Sequence, residues 1–269
     1  MNKRQMHFAG SFYPADSKSV EEMIHHFNRS LENSTEVISQ LNRLKTNAVI
    51  VPHAGWIYSG FTANVAHRVL SGSPVDTVVV IGPSHHAGFE GVSIADYTAY
   101  ATPLGDIPID RTLVQAIKEK FGVVHYPQAH HEHSTEVQMP FIRHYMPDVN
   151  VVELVYGYAS PKLLEPIISY LLHNSRYAVV ISTDLSHFYP LQEAHKIDQI
   201  CLEAVEKMDL NLLHKGCEAC GEIGVEAMLS AANKEGLKSL ILDYRTSADA
   251  SGDTARVVGY MSALFQKSL

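Results

Sequence analysis

The chain has 269 residues, 46% hydrophobic and 19% charged, an ordinary balance for a protein that buries a sizeable core. A net charge of −8 with no Lys/Arg cluster argues against a phosphate backbone as partner, so no nucleic acid is expected. No stretch nears the roughly 18 apolar residues of a membrane span, and no apolar segment follows Met1–His7. A cytoplasmic protein without membrane contact is therefore expected.

In chain order, Asp16 or Ser17 can cap a helix that carries Val20, Met23, Ile24 and Phe27 at helical spacing. Three segments then share one form. Val49-Ile50-Val51 runs into Pro52-His53-Ala54-Gly55, Val78-Val79-Val80-Ile81 into Gly82-Pro83-Ser84-His85-His86, and Ala178-Val179-Val180-Ile181 into Ser182-Thr183-Asp184-Leu185-Ser186-His187. Each is a β-branched apolar run, as a strand buried on both faces requires, and each ends in small or polar residues that include histidine. Helical patterns fall at 60–70, 111–120 and 191–207, and a further strand at 151–155. A helix is expected from near Cys220 and Gly221 through Val225, Met228 and Leu229. Two strands should follow, near 239–244 and 255–265, with Asp249, Gly252 and Asp253 in the turn between them.

Without repeat, linker or low-complexity tract, this reads as one α/β domain over 1–269, its largely parallel or mixed sheet flanked by helices. In such sheets ligands sit beyond the carboxyl ends of the strands, where His53, His85, Asp184 and His187 fall.

Sixteen histidines are the outlier of the composition. One histidine at a strand end can be a hydrogen-bonding cap. Three on the same structural feature point to a metal, because neutral imidazole is its commonest ligand. Of the neighbours His85 and His86, only one should face the site, and His85 lies nearer the strand. Asp184, three residues before His187, can ligate, hold a histidine tautomer or cap its turn.

The stretch from His130 to Gln138 is not the zincin His-Glu-x-x-His pattern, since it reads His-Glu-His. Its apolar continuation, Val137, Met139 and Phe141, suggests a loop that returns to the core and can bring His133 and Glu136 into the cleft. Trp56 and His86 join Glu136 among the residues expected to touch a substrate. Cys201, Cys217 and Cys220 are too few, and odd in number, for a disulfide framework, so they read as free thiols. Cys220, at a helix start that favours thiolate, is the candidate ligand.

Together these motifs resemble the Memo family, protein B of the AmmeMemoRadiSam system. The resemblance runs from Ala9-Gly10-Ser11-Phe12-Tyr13-Pro14, through the histidine motifs and Glu132–Gln138, to Ala219-Cys220-Gly221. It closes on Tyr244–Asp249 and Val257-Val258-Gly259-Tyr260. It implies the fold of the class III extradiol dioxygenases (LigB-like). It also implies His53, His85 and Cys220 as metal ligands, with His187 and Asp184 beside them as acid/base groups and His133 close by. Fe(II) is the expected metal, with copper or zinc as alternatives, since the thiolate replaces the usual carboxylate and is softer and oxidisable. A small-molecule substrate is expected, with AMMECR1-like and radical SAM proteins as partners. Three functions stay open: a dioxygenase-like redox enzyme on a small aromatic or other O₂-reactive compound, a zinc-type hydrolase, and a non-catalytic peptide-binding cleft.

Overall fold

The computed structural model describes residues 3–33 and 35–267, so Met1 and Asn2 of the amino-terminal segment lie outside the described residues. The apolar runs form the centre of one mixed sheet. Its strands are β1 (Ala48–Val51), β2 (Thr77–Pro83), β3 (Val92–Ile94), β4 (Asn150–Tyr156), β5 (Tyr177–Ser182), β6 (His187–Tyr189), β7 (Leu237–Thr246) and β8 (Val257–Lys267). The order is β7-β8-β1-β5-β2-β4-β3, with β6 pairing to β8. The inner four, β1, β5, β2 and β4, run parallel. Both flanks are antiparallel: β8 to β1 and β7 to β8 on one side, β3 to β4 on the other.

Every residue of β1 and β2 is buried. Successive side chains point to opposite faces, so complete burial requires cover on both. Helix α1 (Ser17–Glu32) is capped by Asp16, whose side chain accepts from the Ser19 N–H, and turns Val20, Ile24, Phe27 and Leu31 inward. It packs against α2 (Trp56–Leu70), which lies on β1, β7 and β8. Helices α3 (Pro161–Leu172) and α4 (Glu222–Lys234) pack on each other and against β5, while α5 (Leu191–Lys207) lies on β7 and β8. Among the described residues no helix is long and apolar enough to cross a membrane.

The expected strands and helices are all present. The cysteines differ from expectation: Cys201, within α5, is joined to Cys217 in a disulfide, and only Cys220 is free. The chain leaves α5, makes a short helix at Leu210–Leu213 and turns back, which brings together two thiols sixteen residues apart in sequence. Nothing in spacing alone announces that return.

Candidate metal centre

Three chain segments deliver the site at the carboxyl ends of β1, β2 and β5. Past β1, the chain places His53 almost wholly buried. Past β2 it places His85, partly open to solvent. Beside β5 comes the loop ahead of α4, with Cys220. The donor atoms of His53, His85 and Cys220 all lie within 4.8 Å of one another. Cys220 Sγ is 3.1 Å from His53 Nε2.

Two glycines permit this closeness. A Cβ on Gly221 would stand 2.6 Å from Thr183 Cβ and 2.9 Å from the Ser182 carbonyl oxygen, so only glycine lets the Cys220 loop lie against the end of β5. A Cβ on Gly82 would stand 2.5 Å from Ser134 Oγ, where the segment 132–138 presses on β2.

The second nitrogen of each of these two histidines is occupied. His53 Nδ1 lies 2.9 Å from Ser182 Oγ. His85 Nδ1 lies 2.9 Å from Glu132 Oε1, and the other oxygen of Glu132 accepts the His85 backbone N–H at 2.6 Å. Such bonds orient imidazole ligands and leave Nε2 free for a metal. Glu132 is fully buried and also meets His133 Nδ1 at 3.1 Å and the Ser134 N–H at 3.1 Å. Burial would raise its pKa, but these bonds, those from His85 foremost, outweigh it and hold the carboxyl down at about 2. His85, Glu132 and His133 also bring three donors within 4.8 Å. With its oxygens already bonded to three N–H groups and His133 close beside them, Glu132 reads better as the group that orients His85.

The imidazoles form a continuous array. Ring centroids of His53 and His85 are 5.1 Å apart, and those of His85 and His133 4.5 Å. His86 Nε2 lies 3.1 Å from His133 Nδ1. Phe8 and Phe12 pack on the same group, Phe12 at 4.5 Å from His133. Burial, then the neighbouring His53, holds His133 neutral, its pKa down at about 3. Burial, then His85, likewise lowers that of His53.

At Cys220 the charge balance runs against the expectation of a ready thiolate. The helix begins only at Glu222, and burial, with Asp184 next, pushes the thiol up to about 12. Without a cation the sulfur therefore keeps its proton and can donate it to His53 Nε2. Asp184 lies inside the same corner. Its Oδ1 accepts the His53 and Ala54 backbone N–H groups at 2.7 and 3.2 Å, and burial raises its pKa.

His187 is not one of the three grouped donors. It is exposed on β6 and, with Cys220, Ser186 and Glu222, lines a cavity of about 310 Å³. The next residue, Phe188, is 60% exposed with φ +67°, a left-handed conformation that costs a bulky residue about 1–3 kcal/mol. Strain of that kind clusters at functional sites.

Two residues expected to touch substrate do not reach the cleft. The Trp56 ring stacks on Phe141 with centroids 3.9 Å apart and donates to the Val137 carbonyl, which buries it in the core. The Glu136 carboxylate, fully buried, accepts from Arg4 Nη1, the Tyr13 hydroxyl and the backbone N–H groups of His7 and Phe8. It fastens the amino-terminal segment to the site's scaffold. Glu132, Ser182 and Arg4 were missed by sequence reasoning. Only Glu132 left a signal there, as an acid between two histidines.

Two imidazoles and a thiol, gathered at the ends of parallel strands of an α/β domain, form a group that could hold a metal ion. A family model described as Memo-like protein matches residues 4–264. The chain belongs to the Memo family. Relatives called MEMO1 family protein include one from Desulfurococcus amylolyticus, 30% identical over 98% of this chain and 99% of its own. Another, from Metallosphaera sedula, is 32% identical over 98% and 99%. Among solved structures, an uncharacterized Escherichia coli K12 protein, JW3007, is similar with TM-score 0.51 and 12% identity, over 81% of this chain and 99% of that one. That likeness concerns the fold alone and agrees with a LigB-like α/β architecture.

Proposed function

We propose that this chain is a redox metalloprotein that holds Fe(II) on His53, His85 and Cys220 and acts on a small, O₂-reactive, aromatic-type substrate. The observation that carries this reading is the convergence of three donors within 4.8 Å while both histidine Nδ1 atoms are already bonded. Two imidazoles and one ionisable thiol fit a divalent transition metal, and copper and zinc are the competing occupants of that donor set. When bound, a redox-active metal would supply electron transfer and an open face for substrate and O₂.

The chain's own groups would do the rest. His133 is neutral at pH 7 and stands among His85, His86 and Glu132, a group able to take or give a proton beside the donors. His187 stands at the mouth as a second proton-transfer group in contact with water. Phe12, partly exposed beside His133 and backed by the buried Phe8, offers an apolar ring against which a flat substrate can lie. A second reading, a non-catalytic binding cleft, draws support from Ile57, Tyr58 and Phe188, large apolar side chains that are exposed on segments next to His53 and His187.

Metal analysis of protein purified without oxygen, with His53→Ala and Cys220→Ala alongside, tests the proposal. Near-stoichiometric iron that both substitutions abolish is the expected result. Metal content that is low in wild type and unmoved by either substitution would sink it. Oxygen uptake with catechols then separates redox catalysis from hydrolysis, and activity with Zn²⁺ alone would exclude a redox mechanism.

A further inference from the structure

His53 is useful as a ligand only if the nitrogen facing Cys220 is the one without a proton. The hydrogen bonds behind the ring decide this. Ser182 Oγ has three polar neighbours: the Ser134 carbonyl oxygen at 2.5 Å, His53 Nδ1 at 2.9 Å and Gln138 Nε2 at 3.2 Å. A carbonyl oxygen can only accept, so the single hydroxyl proton of Ser182 goes to Ser134. Its oxygen is left to accept from the other two neighbours.

The orientation of Gln138 is fixed in the same way. Its Nε2 also lies 2.8 Å from the Pro52 carbonyl oxygen, so the NH₂ end must face Pro52 and Ser182. Its Oε1 then accepts from His67 Nε2 at 3.0 Å. The remaining nitrogen of His67 has no partner among the described residues, as expected for a neutral ring that has spent its one proton. Burial keeps that ring neutral, its pKa lowered to about 4. Ser134, Ser182, Gln138 and His67 are all fully buried, so no bulk solvent competes for these bonds.

We propose that Ser182 is the positioning residue that sets the tautomer of His53, its hydroxyl proton committed to Ser134 and its rotamer held by Gln138. His53 must then donate from Nδ1, and Nε2 presents a lone pair toward Cys220. The segment 132–138 thereby fixes both ligand histidines, His85 directly through Glu132 and His53 through Ser134, Gln138 and Ser182. The inference rests on the reading of His53 as a ligand for its consequence, but not for its measurement.

The test is made on metal-free full-length protein labelled with ¹⁵N-histidine, with His53 assigned by loss of its signal in His53→Gln. Long-range ¹H–¹⁵N spectra should show His53 as the Nδ1–H tautomer in wild type. In Ser182→Ala the Nε2–H form should appear, and affinity for Zn²⁺, read by competition with a chelating indicator, should fall about 10–100-fold. Ser182→Thr, which keeps the hydroxyl, should restore both. Gln138→Leu should give a smaller loss of affinity.

An Nε2–H tautomer in wild type overturns the proposal, whatever the variants do. So does a Ser182→Ala protein that keeps the Nδ1–H form and wild-type affinity. If Ser182→Ala does not fold, the wild-type spectrum and Gln138→Leu still decide. Expected tautomers without any Zn²⁺ binding would remove the metal reading and leave the positioning role standing.

Discussion

Cys220 gives the sharpest quantitative prediction. Its thiol is pushed up to about 12 by burial and by Asp184, so a metal must displace a proton at any physiological pH. At pH 7.5 that displacement costs about 6 kcal/mol, from the gap between pH and pKa at 1.36 kcal/mol per unit. The sign follows directly. Raising the pH makes the proton easier to lose, so affinity climbs about 10-fold per pH unit and stops climbing only near the thiol's own pKa. His53 and His133 add no slope near neutrality, because both are neutral there already. Zn²⁺ is the suitable probe, being redox-silent. Competition titrations at pH 6.5 and 8.5 should differ by about 100-fold, and calorimetry in buffers of different ionisation enthalpy should count about one proton released per Zn²⁺. Cys220→Ser should bind far more weakly and lose most of the slope. A slope near zero in wild type, or one unchanged in Cys220→Ser, would refute both the protonated resting thiol and its role as a ligand.

Buried neutral histidines should set the acid limit of the fold. His67 and His133 have folded pKa values of about 4 and about 3, below the usual 6.5, so the unfolded chain binds more protons as pH falls. Stability is then whole above 6.5 and declines by about 1.4 kcal/mol per unit and per ring toward pH 4. Urea midpoints at pH 7.5, 6 and 5 measure this, and a flat profile would contradict it. The Cys201–Cys217 bond closes a loop of sixteen residues, so Cys201→Ser with Cys217→Ser should cost about 3 kcal/mol by the chain-entropy estimate, read as a lower thermal midpoint. A thiol titration of denatured, unreduced wild type should find a single free thiol. Gly221→Ala should fold with a loss of about 1–3 kcal/mol and lose most Zn²⁺ affinity, because the added methyl meets Thr183 and shifts Cys220. Unchanged Zn²⁺ affinity would show that the loop has room.

Much of the fold was legible because parallel strands buried on both faces announce themselves as unbroken β-branched runs. β1, β2 and β5 each did so, and the histidines at their ends followed from the rule that ligands gather there. What failed to show depends on side-chain direction or on distant approach. Trp56 and Glu136 sit in promising motifs, yet one opens a helix with its ring toward Phe141 and the other points back at the amino terminus. Glu132 and Ser182 work through single bonds to imidazole nitrogens, which no periodicity encodes. The pairing of Cys201 with Cys217 needed the path of the chain after α5.

The Arg4–Glu136 contact has a practical bearing. The amino-terminal residues of a chain are ordinarily the part that is trimmed or tagged without thought. Here Arg4, nearly all buried, bonds both Glu136 and the backbone carbonyl of Glu132, the residue that aims His85. Cutting the chain back to Ala9 would take away that guanidinium and two of the N–H groups that Glu136 accepts from, stranding a carboxylate in the interior at a cost of several kcal/mol. The leading residues behave as a keystone set first instead of last, so a shortened protein would fail at its centre before it failed at its end.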